Sequence, residues 1–196
     1  AVRRTTDEKF ALSKIASCGS DANLFAIAEA SFGQTDAVLI GSGMYVAGDK
    51  GPLQQWSTSS FDITSGPSFI VTPAQTLVTF TKEHVVALPY IIPLQEHKDQ
   101  EILKEIHAYE DECLHELHIR LLLNKLNGRP TKVLFLEIML SGNGAELSDR
   151  VLERLGQLSR HHNFSIVKDE ILTGGRCGTM LLTQQAPGSF QERVTH

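Results

Sequence analysis

Two almost unbroken apolar runs, "KVLFLEI" around residues 133–138 and "FSIV" at residues 164–167, constrain this chain more than any other feature. A strand with one wet face alternates apolar and polar residues. A strand buried on both faces has no such need and is the usual component of a parallel sheet. A third run over 37–40 ends at "GSG" and reads the same way. Between these runs lie helical patterns. One covers residues 21–30, with Leu24, Ile27 and Ala28 at helical spacing. The longest covers 99–126, where Ile102, Ile106, Leu114, Leu117, Leu121 and Leu122 form a stripe and Glu101, Glu105, Glu112 and Glu116 lie on wetter faces. Asn127-Gly128, with Pro130 beyond, stops it. A further helix is expected over 147–160. Strands separated by helices predict an α/β fold of three layers around a mostly parallel sheet. Residues 41–73, rich in Gly, Ser, Thr and Pro, are expected to be mostly loop. A strand is expected over 76–80, and an extended segment over 85–93, which holds two prolines.

The chain has 196 residues, enough for one domain with a real core. A net charge of -5 gives no global attraction to nucleic acid or to an anionic membrane. No stretch of 18 apolar residues is present to span a membrane. The first residues, "AVRRTTDEKFALSK", carry charges and no apolar signal core. The three cysteines, Cys18, Cys113 and Cys177, form neither a disulfide framework nor a metal knuckle, which favours a reducing compartment, the cytoplasm or an organelle.

In parallel sheets, ligands collect at the carboxyl ends of the strands, beside helix N-termini. "SCGSDAN" at 17–23 stands at such a place. Gly19 would let backbone approach an anion, and Ser20 adds a hydroxyl beside the unpaired N–H groups of a first helical turn. Ser20 as a plain N-cap explains the same residues. "SIVKDEILTGGRCG" at 165–178 is more informative. Asp169 and Glu170 stand where an apolar strand ends and a glycine-bearing loop begins. A carboxylate there can hold a cationic nitrogen in its protonated form, or it can be a solvated acid at a strand end.

These stretches, in this order and separation, resemble the class III aminotransferases, pyridoxal-phosphate (PLP) enzymes of fold type I. "SCGSDAN" resembles the family's S-G-[ST]-E-A-N phosphate loop, with Cys18 in the serine position and Asp21 in that of the glutamate. "VLFLEIMLSGNG" resembles V-E-P-I-x-G-x-G, with Glu137 as the glutamate and Ile138 in place of proline. "HHNFSIVKDEILTGGRCG" resembles H-G-x-L-x-I-x-D-E-V-Q-T-G-F-G-R-T-G. The likeness is loose only over about 49–126. It implies an incomplete PLP-transferase large domain, with pyridoxal 5'-phosphate as cofactor, an amino donor and a keto acid as substrates, and a homodimer. Gly19 and Ser20 would bind the cofactor phosphate. Tyr45, in "GSGMYVAG", stands where the family has G-x-Y-H-G and would stack on the ring, although Val46 and Ala47 follow it. Asp169 would pair with the pyridine nitrogen, and Ile171 would pack on the other ring face.

The departures bear on the reaction. Leu172 replaces a glutamine that would reach the phenolic oxygen of the cofactor, and Gly142 and Asn143 stand near a glutamate that sorts substrates in some members. They leave open an aminomutase or racemase of the same fold. A non-catalytic module holding a phosphate ligand is the rival from another class.

A PLP enzyme needs a lysine bonded to its cofactor. None follows Lys168, and Lys168 neighbours Asp169 on a strand, so alternation turns it to the opposite face. "SFQERVTH" resembles the segment just before the family's P-D-x-x-x-x-G-K. The lysine is therefore expected roughly half a dozen residues beyond His196. Both ends read as cut, and the chain as given is expected to be inactive.

Other features point to no site. Glu112 and His115 have the E-x-x-H spacing of di-iron bundles but occur once. His115 and His118 lack a third metal ligand of suitable spacing, and no metal is expected. His161-His162 reads as a pair at a helix C-terminus. Trp56, in "PLQQWSTSSF", fits either a subunit contact or local core.

Overall fold

A computed structural model describes residues 19–31, 34, 37–41, 68–71, 77–80, 84–92, 99–140, 143–174 and 182–194. In chain order its elements are α1 (Gly19–Ala30), β1 (Val38–Gly41), β2 (Ser68–Val71), β3 (Leu77–Phe80), β4 (Val85–Val86), α2 (Gln100–Leu126), β5 (Val133–Glu137), α3 (Asp149–His162), β6 (Ser165–Asp169) and α4 (Gly188–Gln191), with a 3₁₀ turn at Leu182–Gln185 before α4.

Strands β4, β1, β5 and β6 form one parallel sheet in that order. The apolar runs are its centre: all five residues of β5 and all four of β1 are buried. Alternate residues feed two cores. Val38, Ile40, Val133, Phe135 and Val167 pack with Ile27 of α1. Leu39, Leu134, Leu136 and Ile166 pack with Leu114, Leu117 and Leu121 of α2 and with Val151, Leu152 and Leu155 of α3. The expected three-layer α/β architecture is present, with α1 on one face and α2 and α3 on the other.

The two long helices have defined ends. Asp99 caps α2 by accepting from the Glu101 N–H at 2.9 Å, and Gly128 at φ 72° donates to the Lys125 carbonyl at the expected stop. Ser148 caps α3 by accepting from the Val151 N–H, and left-handed Asn163 closes it by donating to Ser159.

Several expectations need correction. Helix α1 starts at Gly19, two residues before the expected start, so the glycine lies inside its first turn. Helix α3 starts at Asp149, because Glu146 and Leu147 are engaged in backbone pairing with Ile91 and Ile138. Within the segment expected to be mostly loop, Ser68–Val71 form β2, which pairs antiparallel with β3, an addition to that expectation rather than a reversal of it. The stripe of α2 includes Glu110, only 1% exposed, whereas Ile102 is 36% exposed. Glu110 tolerates burial because Arg150 donates to it at 2.7 Å and the capping hydroxyl of Ser148 donates to its other oxygen.

Candidate active site

Helix α1 leads into β1, so its N-terminus lies where the parallel strands end. There β6 finishes at Asp169, in register with Glu137 at the end of β5. Val133, Phe135 and Val167 face α1, and the period of two carries Glu137 and Asp169 to that same side.

The Asp169 carboxylate is fixed at both oxygens. Asn23 of α1 donates its side-chain N–H to Oδ2 at 2.7 Å, and the Ile171 backbone N–H donates to Oδ1 at 2.7 Å. An ionised carboxylate offers about four acceptor positions, so two bonds leave capacity for an N–H⁺ partner. Asn23 belongs to "SCGSDAN"; the two stretches that are 146 residues apart in sequence therefore meet directly. The Ile171 side chain, 63% exposed, reaches across the first turn of α1. A Cβ added at Gly19 would stand 3.2 Å from Ile171 Cδ1, which would have to give by a few tenths of an ångström.

Glu137 is 2% exposed, and its backbone carbonyl accepts from the Tyr90 hydroxyl at 2.6 Å. Burial, reinforced by the Glu137 charge, pushes the Tyr90 phenol well above its usual range, so it remains a donor. Tyr90 also lies near Gly41 at the end of β1, where an added Cβ would meet the phenol oxygen at 3.5 Å. Sequence reasoning missed Tyr90. Its signal was an aromatic residue next to Pro89 at the end of an apolar extended segment, at the carboxyl edge of the sheet.

The remaining candidates divide as follows. The Ser20 backbone lies in the first turn of α1. Tyr45, Cys18, Gly142 and Trp56 lie outside the described residues. Lys168 is turned away from Asp169 and α1: it pairs in register with Leu136 on the α2–α3 side and bonds Glu170 there. His118 of α2 meets His161 and His162 of α3, with ring centroids 4.7 to 6.0 Å apart, a grouping that sequence spacing did not show. Among the described residues no cluster of three potential ligands is arranged to hold a metal ion.

No protein-family model and no curated protein sequence matches the chain. Solved structures do match. A lysine aminotransferase from M. tuberculosis, in the internal aldimine form, aligns with a TM-score of 0.55 and 15% identity over 94% of this chain and 41% of its own. A PLP-bound amine transaminase from an uncultivated Pseudomonas species aligns with a TM-score of 0.55 and 18% identity over 87% of this chain and 36% of its own. The chain has an aminotransferase fold. A thermostable (S)-enantioselective omega-transaminase from Thermomicrobium roseum shares it, with a TM-score of 0.51 and 19% identity over 87% of this chain and 35% of its own. The chain thus spans well under half the length of these aminotransferases. No described helix is long and apolar enough to cross a membrane.

Proposed function

We propose that the chain is the cofactor-binding part of a class III PLP-dependent aminotransferase, one that moves an amino group between an amino compound and a keto acid. The observation that supports this best is the Asp169 carboxylate at the end of β6, held by Asn23 of α1 at 2.7 Å.

The residues present fit the cofactor. Asp169 keeps acceptor capacity beyond its bonds to Asn23 and Ile171, and would hold a proton on the pyridine nitrogen by charge-assisted hydrogen bonding. The first-turn N–H groups of α1 at Gly19 and Ser20 would bind the phosphate, aided by the positive end of the helix dipole. Gly19, with no side chain, keeps that turn open beside Ile171, whose exposed side chain would cover one face of the ring. Tyr45 is assigned to the other face by the resemblance alone. Glu137, beside Asp169 in the sheet and tied through its carbonyl to Tyr90, would fix the end of β5 under the cofactor. When bound, the cofactor supplies an electron sink for the carbanion next to the reacting nitrogen.

By the resemblance, the lysine that bonds the cofactor is proposed to belong to a longer parent chain; Lys168 faces the opposite side of the sheet and does not fill that role. The parent is proposed to be a homodimer; the chain as given would bind the cofactor without turning over. Titration with PLP, followed by the absorption and induced dichroism of the cofactor, tests the binding site. Borohydride treatment of the parent tests for the bonded lysine. Saturable binding to the chain, with borohydride-fixed cofactor on the parent, is the expected result. Saturable binding with no fixation would favour a phosphate-ligand module, and no binding at all would overturn the proposal.

A further inference from the structure

We propose that Lys168 is a positioning residue for this site: from the opposite face of the sheet it holds, through Glu170 and Thr173, the turn that aims the Asp169 carboxylate and the Ile171 side chain at the first turn of α1. This rests on the cofactor reading above.

The Lys168 side chain is 2% exposed. Lysine is seldom buried so fully without a partner. Its ammonium pairs with one oxygen of Glu170, and the other oxygen accepts from the hydroxyl of Thr173, itself 3% exposed. The Gly174 N–H donates to the Glu170 carbonyl at 2.7 Å. Glu170 is thereby tied forward along the turn by both its side chain and its backbone. It is also the residue between Asp169 and Ile171, whose mutual bond sets the front of the site. Rotating the backbone enough to swing Asp169 away from Asn23 would pull Glu170 off Lys168 and Thr173. The two faces of the strand tip are coupled in this way.

A buried ion pair is weak evidence of a stability role, because apolar residues of similar volume often serve as well or better. What apolar residues cannot do is fix the direction of a turn through oriented hydrogen bonds. Burial pulls the Lys168 ammonium below its usual range, and Glu170 is the main group opposing that shift. Removing one partner therefore strands the other, and the informative variant replaces both.

The test compares Lys168→Met with the double variant Lys168→Met/Glu170→Leu in the full chain. Three readouts are used: thermal midpoint, hydrogen exchange of the Ile171 amide without cofactor, and the Kd for PLP. Lys168→Met should lower the midpoint, and the double variant should recover it. In both, the Ile171 amide should exchange at least about tenfold faster and PLP should bind about tenfold more weakly, the size of loss typical when the group orienting a direct ligand is removed. A double variant with wild-type Ile171 exchange and wild-type Kd would overturn the proposal. Should the double variant not fold, Thr173→Val takes its place, with faster Ile171 exchange expected and unchanged exchange overturning the idea. If the wild-type chain binds no PLP, the cofactor reading fails by itself, and the exchange rates still decide whether Lys168 positions the turn.

Discussion

On the α2–α3 side of the sheet, leucines, isoleucines and Phe164 and Phe190 interlock into a core of fully buried side chains. Among the described residues the α1-side core is smaller, and toward the carboxyl edge it gives way to Glu137, Asp169 and an exposed Ile171. The same four strands serve both faces, since each strand alternates between them. Stability can therefore be concentrated on the far side while the near side carries polar groups at its carboxyl edge. The rigid far face holds still the strand ends from which the near-face groups project.

This division can be broken most severely from the far side. Leu155, fully buried in α3, should cost about 2–5 kcal/mol of unfolding free energy when changed to Ala. Urea denaturation would measure it, and the folded protein should keep its PLP affinity. Asp169→Ala should do the reverse. It removes a charge-assisted bond worth about 1.5–3 kcal/mol, so the Kd for PLP should rise about ten- to hundredfold. Unfolding free energy should fall less than in Leu155→Ala, by about 1–2 kcal/mol, because the lost bonds from Asn23 and Ile171 lie at a partly exposed edge. If Asp169→Ala lowers the unfolding free energy as much as Leu155→Ala does while leaving the Kd for PLP unchanged, the two faces are not divided as described.

How much of this could be read beforehand follows the same division. The far-face helices and the central strands were legible because their apolar spacing is local and strong, as in β5 and the Leu114–Leu117–Leu121 stripe. Asp169 was legible because a charge directly after an apolar strand marks the strand's end. Lys168 was legible because alternation settles its face, although its burial against Glu170 was not. Other features depend on contacts between distant segments. Glu110 looks like one more wet residue of α2 until Ser148 and Arg150 come into view from α3. Tyr90 finds Glu137, 47 residues on, only through the sheet order. Ser68–Val71 was hidden by the Gly, Ser and Thr residues around it.

A sharper test of far-face packing is Gly156. In α3 it faces α4, and an added Cβ would lie 2.4 Å from the Ser189 carbonyl oxygen. That neighbour is backbone and cannot swing aside. Gly156→Ala should therefore destabilise by about 1–3 kcal/mol, the usual cost of overpacking. At Gly128 an added Cβ meets nothing within 4 Å, and only the positive φ of 72° opposes it, at a cost of about 1–2 kcal/mol. Thermal unfolding of both alanine variants would show whether close approach or backbone conformation dominates in this layer.

The smallest effect concerns the histidine cluster on the far side, where His118, His161 and His162 meet. Burial pulls His162 below its usual pKa, and the neighbouring charges of His161, His118 and Lys125 act in the same direction. The unfolded chain therefore takes up a proton more readily than the folded one. The His162 contribution is fully present above the unfolded value of about 6.5 and is lost as pH falls from there through the lower folded value. The unfolding midpoint should decline over that acid range, and His162→Gln should flatten the decline without changing PLP affinity at neutral pH. A decline that persists unchanged in His162→Gln would show that His162 does not carry the acid sensitivity of the far side.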